Sequence, residues 1–208
     1  MKLFSTRSWR LSDAQKLAEE YPYTFHKPSS QAVGLLKPGD EVKLIFEFRS
    51  DDPDAPGAER MWVEIKEISG KTFEGVLDND PAYIIDLKCG DPVTFAEKHV
   101  IQLSIDDPVP SKTDKYLPRC FVTHRVLYEE VRVGYLYREE PESDEDSGWR
   151  IMCGDESDEY MDSSDNISFV SLGAVLRQDD RIVNLLEEPI GSVFEFNSAT
   201  ESFNRVDE

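Results

Sequence analysis

Residues 41–48 read EVKLIFEF; Val42, Leu44, Phe46 and Phe48 fall on one face at a period of two, with Glu41, Lys43 and Glu47 mostly opposite. Strand side chains alternate between faces, so this pattern describes a half-buried β-strand. The turn-rich SDDPDAPGAE (50–59) follows, then MWVEIKEI (61–68), Ser69-Gly70 and TFEGVL (72–77), the arrangement of an antiparallel hairpin. AYIIDL (82–87), PVTF (92–95) and HVIQLSI (99–105) are expected to add short strands. On the other side of EVKLIFEF, Ser12 with Gln15 three positions on has the capping-box spacing and predicts a helix over 12–20. SSQAVGLL (29–36), stopped by Lys37-Pro38-Gly39-Asp40, predicts a second short helix. Many short strands with Gly and Pro turns behind two helices imply an SH3-like barrel or a curled antiparallel sheet.

DDPVPSKTDKYLP (106–118) is rich in Pro and polar residues and has little periodicity, so it reads as a linker. A boundary near residue 115 gives two modules, 1–115 and 116–208, and the 208-residue length suits two domains of about 100 residues. The second module begins with a strand, RCFVT (119–123), then a short helix or turn, HRVLYEE (124–130), then a strand in RVGYLYR (132–138). GWRIMCG (148–154) is a further strand between two acidic loops, EEPESDEDSG and DESDEYMDSSDN, the latter with a helical turn. ISFVSLGAVL (167–176) reads as a strand running into a helix, RIVNLLEEP (181–189) as a short amphipathic helix, and GSVFEFN (191–197) as a closing strand, with 200–208 frayed. The fold class expected for the chain is α+β in two small modules, the second of them mixed.

The 43 acidic residues against 23 basic ones give a formal net charge of -20. Such a field repels nucleic-acid phosphates and anionic lipid and attracts a basic protein, so the expected partner is a protein, with no nucleic acid and no membrane. The charge is uneven. Residues 1–115 hold 21 acidic and 15 basic residues, net -6, and residues 116–208 hold 22 and 8, net -14. The opening MKLFSTRSWRLSDAQ has no apolar run suited to a signal peptide, and no stretch of about 18 apolar residues occurs, so a cytoplasmic location is expected. Cys89, Cys120 and Cys153 are odd in number and far apart, which fits buried, reduced thiols better than a disulfide framework.

Between residues 139 and 162, 11 of 24 positions are carboxylates. Asp144, Glu145, Asp146, Asp155, Glu156, Asp158 and Glu159 flank the strand around Trp149 and are the first binding candidates, with Trp149 or Tyr160 as an aromatic anchor. An acidic loop pair can occupy a basic surface as a phosphate mimic; a merely solvated pair, with Trp149 in the core, is the alternative. Neither loop has the register of a calcium-binding EF-hand. A zinc site would need Cys120 and His124 to converge with Cys89, His99 or Cys153, and a nucleophile would need His124 beside Cys120 or Cys153. No G-x-S-x-G, P-loop, G-x-G-x-x-G or H-E-x-x-H pattern occurs. No cofactor or metal is expected. In the first module, Trp62 and Tyr83, with Asp78 and Asp80 on the LDNDP turn, form a secondary candidate, an aromatic groove for an extended peptide.

VGYLYREEP, SGWRIMCGDESDEYMD, DNISFVSL and EEPIGSVFEFN, in that order within 119–197, resemble the immunity protein 33 family of bacteria. LKPGDEVKLIFEF, ERMWVEIKEISGKTFEGVLDNDP and IIDLKCGDPVTF, within 23–103, resemble the YegJ-like family, domain of unknown function 2314. The first resemblance implies a cytoplasmic protein, not an enzyme, that neutralises a polymorphic toxin; the second carries no activity with it. A hydrolase-type enzyme and a peptide-binding adaptor are the alternatives.

Overall fold

The computed structural model describes residues 7–50, 52 and 54–206, and the chain divides into two compact units, Met1–Ser111 and Lys112–Glu208. Both are α+β. Among the described residues no helix is long and apolar enough to cross a membrane.

The first unit contains β1 (Trp9–Leu11), α1 (Ala14–Glu20), α2 (Ser30–Val33), β2 (Glu41–Phe48), β3 (Ala58–Ser69), β4 (Thr72–Leu77), β5 (Pro92–Ala96) and β6 (Val100–Leu103). Strands β1 to β5 pair in sequence order, all antiparallel. A 3-10 turn at Glu97–His99 then swings β6 back onto β2, so that the sheet nearly closes. Val42, Leu44 and Phe46 are fully buried inside it, as the alternation in EVKLIFEF requires, together with Val63, Ile65, Leu77 and Val100. The expected SH3-like or curled antiparallel sheet is what the chain forms.

Two local expectations are corrected. Helix α1 is capped by Asp13, whose carboxylate accepts the Lys16 N–H at 3.2 Å. Ser12 is unavailable because its N–H donates to the Ile45 carbonyl and its hydroxyl to Glu47 Oε1 at 2.6 Å, which binds it to β2. The segment 82–87 forms no strand. Its backbone donors are consumed by one side chain: Glu59 accepts the N–H groups of Ala82, Tyr83 and Ile84 at 2.8, 2.8 and 3.2 Å. Ile84 and Leu87 still reach the core, while Ile85 stands 96% exposed.

The second unit contains β7 (Arg119–Thr123), α3 (His124–Tyr128), β8 (Tyr135–Arg138), β9 (Asp146–Met152), α4 (Asp158–Met161), β10 (Ile167–Ser171), α5 (Leu172–Leu176), β11 (Val193–Asn197) and β12 (Ser202–Arg205). They form one mixed sheet in the order β10-β7-β9-β8-β11-β12, in which β7 and β9 run parallel and the other pairs antiparallel. Cys120, Val122, Leu136, Trp149, Ile151 and Phe194 are buried from this sheet, and α3 and α5 add Val126, Val175 and Leu176 to the unit's core.

Here too the segments depart from expectation where side chains take over backbone partners. RIVNLLEEP begins within a 3-10 turn, Asp180–Ile182, and continues in further turns rather than an α-helix. The carbonyls of Leu186 and Glu188 accept from Trp149 Nε1 and Arg138 Nη1, which ties the segment to the sheet. Ser202–Arg205 is a strand paired with β11, not a frayed end. Phe203 packs edge-on against Phe196 with centroids 5.2 Å apart, and the Arg181 guanidinium lies over both rings. Residues 207–208 lie outside the described residues.

Candidate functional site

The first acidic loop is organised by a carboxylate that turns inward. Asp146 opens β9, is 6% exposed, and accepts the N–H groups of Glu142 at 3.0 Å and Gly148 at 2.8 Å. Two further bonds come from Arg150, Nη1 to Oδ1 at 3.0 Å and Nη2 to Oδ2 at 2.9 Å. Burial alone would raise the Asp146 carboxyl, but the guanidinium and the two backbone donors outweigh it and hold it at about 2. Arg150 Nε also donates to Glu139 at 2.5 Å, and Glu142 lies 3.6 Å from Nη2.

Two of the expected surface residues are therefore interior. Asp146 builds the loop from within. Trp149 is 0% exposed, on the core side of β9, with its Nε1–H spent on the Leu186 carbonyl at 3.2 Å, so it cannot anchor a partner. Asp144 and Glu145 remain exposed at the loop tip, and Glu145 lies 3.5 Å from Arg119.

The second loop follows the same logic. Glu156 accepts the N–H groups of Cys153 at 2.9 Å and Gly154 at 2.8 Å and the Thr123 hydroxyl at 2.7 Å. Burial opposes ionisation of Glu156, but these donors and the Cys153 thiol keep its carboxyl below the ordinary range. Asp155 takes the Cys153 thiol at 2.9 Å and Arg125 at 2.5 Å, both of which lower its carboxyl. Asp158 and Glu159 stand exposed in the first turn of α4, where Ser157 accepts the Tyr160 N–H. Tyr160 is half-buried and closes the loop, its hydroxyl donating to the Asn166 carbonyl at 3.3 Å.

Among the described residues, Cys153, Asp155 and Glu156 are the one group of three with metal-ligand atoms close together, and each is already engaged in the loop's own hydrogen bonds. The zinc set drawn from cysteines and histidines does not assemble among those residues. Burial pushes the Cys120 thiol up to about 12. Burial and the Asp155 and Glu156 carboxylates push Cys153 to about 12 as well. Both shifts disfavour the thiolate that a cysteine nucleophile needs. His124 Nε2 lies 2.9 Å from the Ser168 hydroxyl.

Between the two loops lies a feature that the acidic pattern did not reveal. Phe169, Phe121, Arg150, Tyr137 and Val193 are successive partners across β10, β7, β9, β8 and β11, so they share the sheet face opposite Trp149. Phe121 and Phe169 meet in a tilted ring contact with centroids 4.7 Å apart, Arg150 lies 4.6 Å over Phe121, and Arg119 lies 4.4 Å over Phe169. A cleft of about 220 Å³ opens here, lined by Phe121, Tyr137, Arg150 and Met152, by Glu142 of the first loop, and by Met161 and Ile167 of the second loop and β10. The signal was present in the alternation: Phe121 and Phe169 occupy the strand positions opposite in phase to Cys120 and Val170.

In the first unit, Trp62 is half-buried, with Lys43 4.5 Å over its ring, and its backbone N–H donates to Asn79 Oδ1 at 2.6 Å. Asp78 and Asp80 are exposed on the adjoining turn. Tyr83 stacks on Phe48 at 5.9 Å. Lys43 and Phe48 are five positions apart on β2 and therefore face opposite sides, so Trp62 and Tyr83 are not brought together against one strand face.

Residues 120–207 match the family model described as the Immunity protein Imm33 domain, and residues 9–105 match that described as an uncharacterized protein conserved in bacteria (DUF2314). The first match reaches through β12 and the second takes in β1 and α1, so each spans nearly a whole unit. No curated protein and no solved structure matches the chain.

Proposed function

With an immunity domain over residues 120–207 as the premise, we propose that this chain is a cytoplasmic immunity protein that binds a basic toxin domain and neutralises it. The observation carrying this reading is that Asp144, Glu145, Asp158 and Glu159 stand exposed on two separate loops, each of which contributes a side chain to the lining of the same cleft. An acidic surface of this kind raises the encounter rate with a cationic partner and disfavours nucleic acid and anionic membrane. Asp146 and Glu156 contribute charge but keep the loops folded. The first unit, matched by a family without a described activity, is assigned no part in the contact.

Co-expression tests this reading. Toxin-domain genes from the host genome are expressed in a sensitive strain with and without the full chain. The expected result is growth rescue from one toxin by the wild type, with rescue reduced by the quadruple change Asp144→Lys, Glu145→Lys, Asp158→Lys and Glu159→Lys. Binding of the purified pair should weaken from 50 to 300 mM salt, because exposed charges are screened over about 10 Å at 0.1 M. No rescue from any toxin would count against the immunity role. Rescue by the quadruple variant equal to wild type would move the contact off the acidic loops.

A further inference from the structure

The cleft on the sheet face is built differently from its acidic surroundings. Phe121, with Arg150 set over its ring, lines it together with Tyr137, Met152, Met161 and Ile167. The side chains of Phe121, Tyr137, Met152, Met161 and Ile167 are half-buried, whereas Cys120 and Trp149 of the same strands are buried. At about 220 Å³ the cleft falls below the roughly 300–1,000 Å³ of sites that enclose a small molecule, and it suits a single large side chain.

The chemistry of Arg150 decides what kind of side chain. Its hydrogen-bonding edge is spent on Asp146 and Glu139, with Glu142 close by, so it offers a partner no free guanidinium fork. One cation set against three carboxylates leaves this group net negative, and of the three it is Glu142, 70% exposed at its side chain, that lines the cleft. An anionic occupant is repelled there. An apolar one gains the cleft walls, and a cation beside it gains Glu142.

We infer that this cleft is the anchor point of the toxin contact, taking one apolar partner side chain, such as Leu, Met or Phe, directly flanked by Lys or Arg that meets Glu142. This rests on the immunity reading for the identity of the partner, but the chemistry of the cleft stands by itself. Interface hot spots sit in well-packed pockets that binding desolvates, ringed by contacts that exclude water. The acidic loops then steer the encounter, and the cleft slows dissociation.

Two experiments separate the claims. The full chain, labelled at Met and Ile methyl groups, is titrated with the peptides acetyl-Lys-Leu-Lys-amide and acetyl-Glu-Leu-Glu-amide and followed by NMR. The expected result is displacement of the Met161 and Ile167 methyl signals by the cationic peptide alone. Equal displacement by both peptides, or none at millimolar concentration, overturns the inference. With the toxin found by co-expression, Met161→Glu and Ile167→Glu should each weaken binding about tenfold or more, and thermal unfolding checks that they fold. Ile167→Ala serves if the Glu variant does not fold. Wild-type affinity in the folded variants would sink the anchor and leave the immunity role standing. A cationic-peptide response in a chain that rescues from no toxin would sink the immunity role and leave the cleft chemistry standing.

Discussion

The Arg150 guanidinium donates two parallel hydrogen bonds to the Asp146 carboxylate, at 3.0 and 2.9 Å, with side-chain exposures of 8% and 1%. The pair joins the interior of the sheet to the first acidic loop, because Asp146 also holds the backbone of Glu142 and Gly148. Asp146→Asn should cost about 3 kcal/mol in urea unfolding at pH 7, the scale for removing one member of a buried pair. The double change Asp146→Asn with Arg150→Met should recover part of that loss, since no uncompensated charge remains. A cost near zero for the single variant would mean that Glu139 and Glu142 suffice to hold Arg150.

The same pair gives stability an acid dependence. The folded carboxyl of Asp146 sits at about 2, below its unfolded value of about 3.9. Its contribution is therefore complete above pH 4 and is lost as pH falls through 2, amounting to about 2 kcal/mol. Asp179 acts in the same direction: burial opposes its ionisation, but Arg181 and the Val133 N–H keep its carboxyl low. Unfolding free energies measured from pH 6 to 2 should fall below pH 4, and the fall should be shallower in Asp146→Asn.

Gly148 lies between these groups at φ +81°, and a Cβ there would stand 2.2 Å from the Glu139 carbonyl oxygen. Gly148→Ala combines an unfavourable backbone region with a clash against rigid backbone, so a loss of about 2 kcal/mol or more is expected. Gly70, at φ +63° with nothing within 4 Å of the added methyl, is the comparison. Gly70→Ala should cost only about 1 kcal/mol. Equal losses would show that the approach to Glu139 relaxes without penalty.

The three thiols should separate by reactivity. Cys89 is exposed, Cys153 is held up to about 12 by burial and its two carboxylate neighbours, and Cys120 is buried. Titration with a chromogenic disulfide at pH 8 should give one fast equivalent, abolished by Cys89→Ser, a slow second and a third on unfolding. A fast phase that survives Cys89→Ser would reopen the question of a reactive Cys153.

Much of the strand framework was legible because it rests on local alternation. EVKLIFEF, MWVEIKEI and TFEGVL declared a half-buried antiparallel sheet, and RCFVT, GWRIMC and ISFVS declared the strands of the second unit. The misread segments share a cause. In 82–87 one Glu59 carboxylate replaces a neighbouring strand, in 181–189 Trp149 and Arg138 bind carbonyls to the sheet, and Ser12 is drawn off its helix by Glu47. A distant side chain that satisfies backbone groups leaves no mark in local periodicity.

The sequence by itself determined an acidic α+β chain whose carboxylates crowd residues 139–162, because composition and period-two patterning are local properties. Only the tertiary structure decided which of those carboxylates serve as scaffold and which face solvent. Asp146 and Glu156 look like Asp144 and Glu159 in the chain, but the irregularity of β9 against β7, with Gly148 at φ +81°, brings Arg150 back onto Asp146 of the same strand, and pairing β7 beside β9 places Thr123 within reach of Glu156. The same pairing sets Phe121 against Arg150 on the opposite face from Trp149 and so creates the cleft, since a sheet's two surfaces become distinct only when its strands are in register.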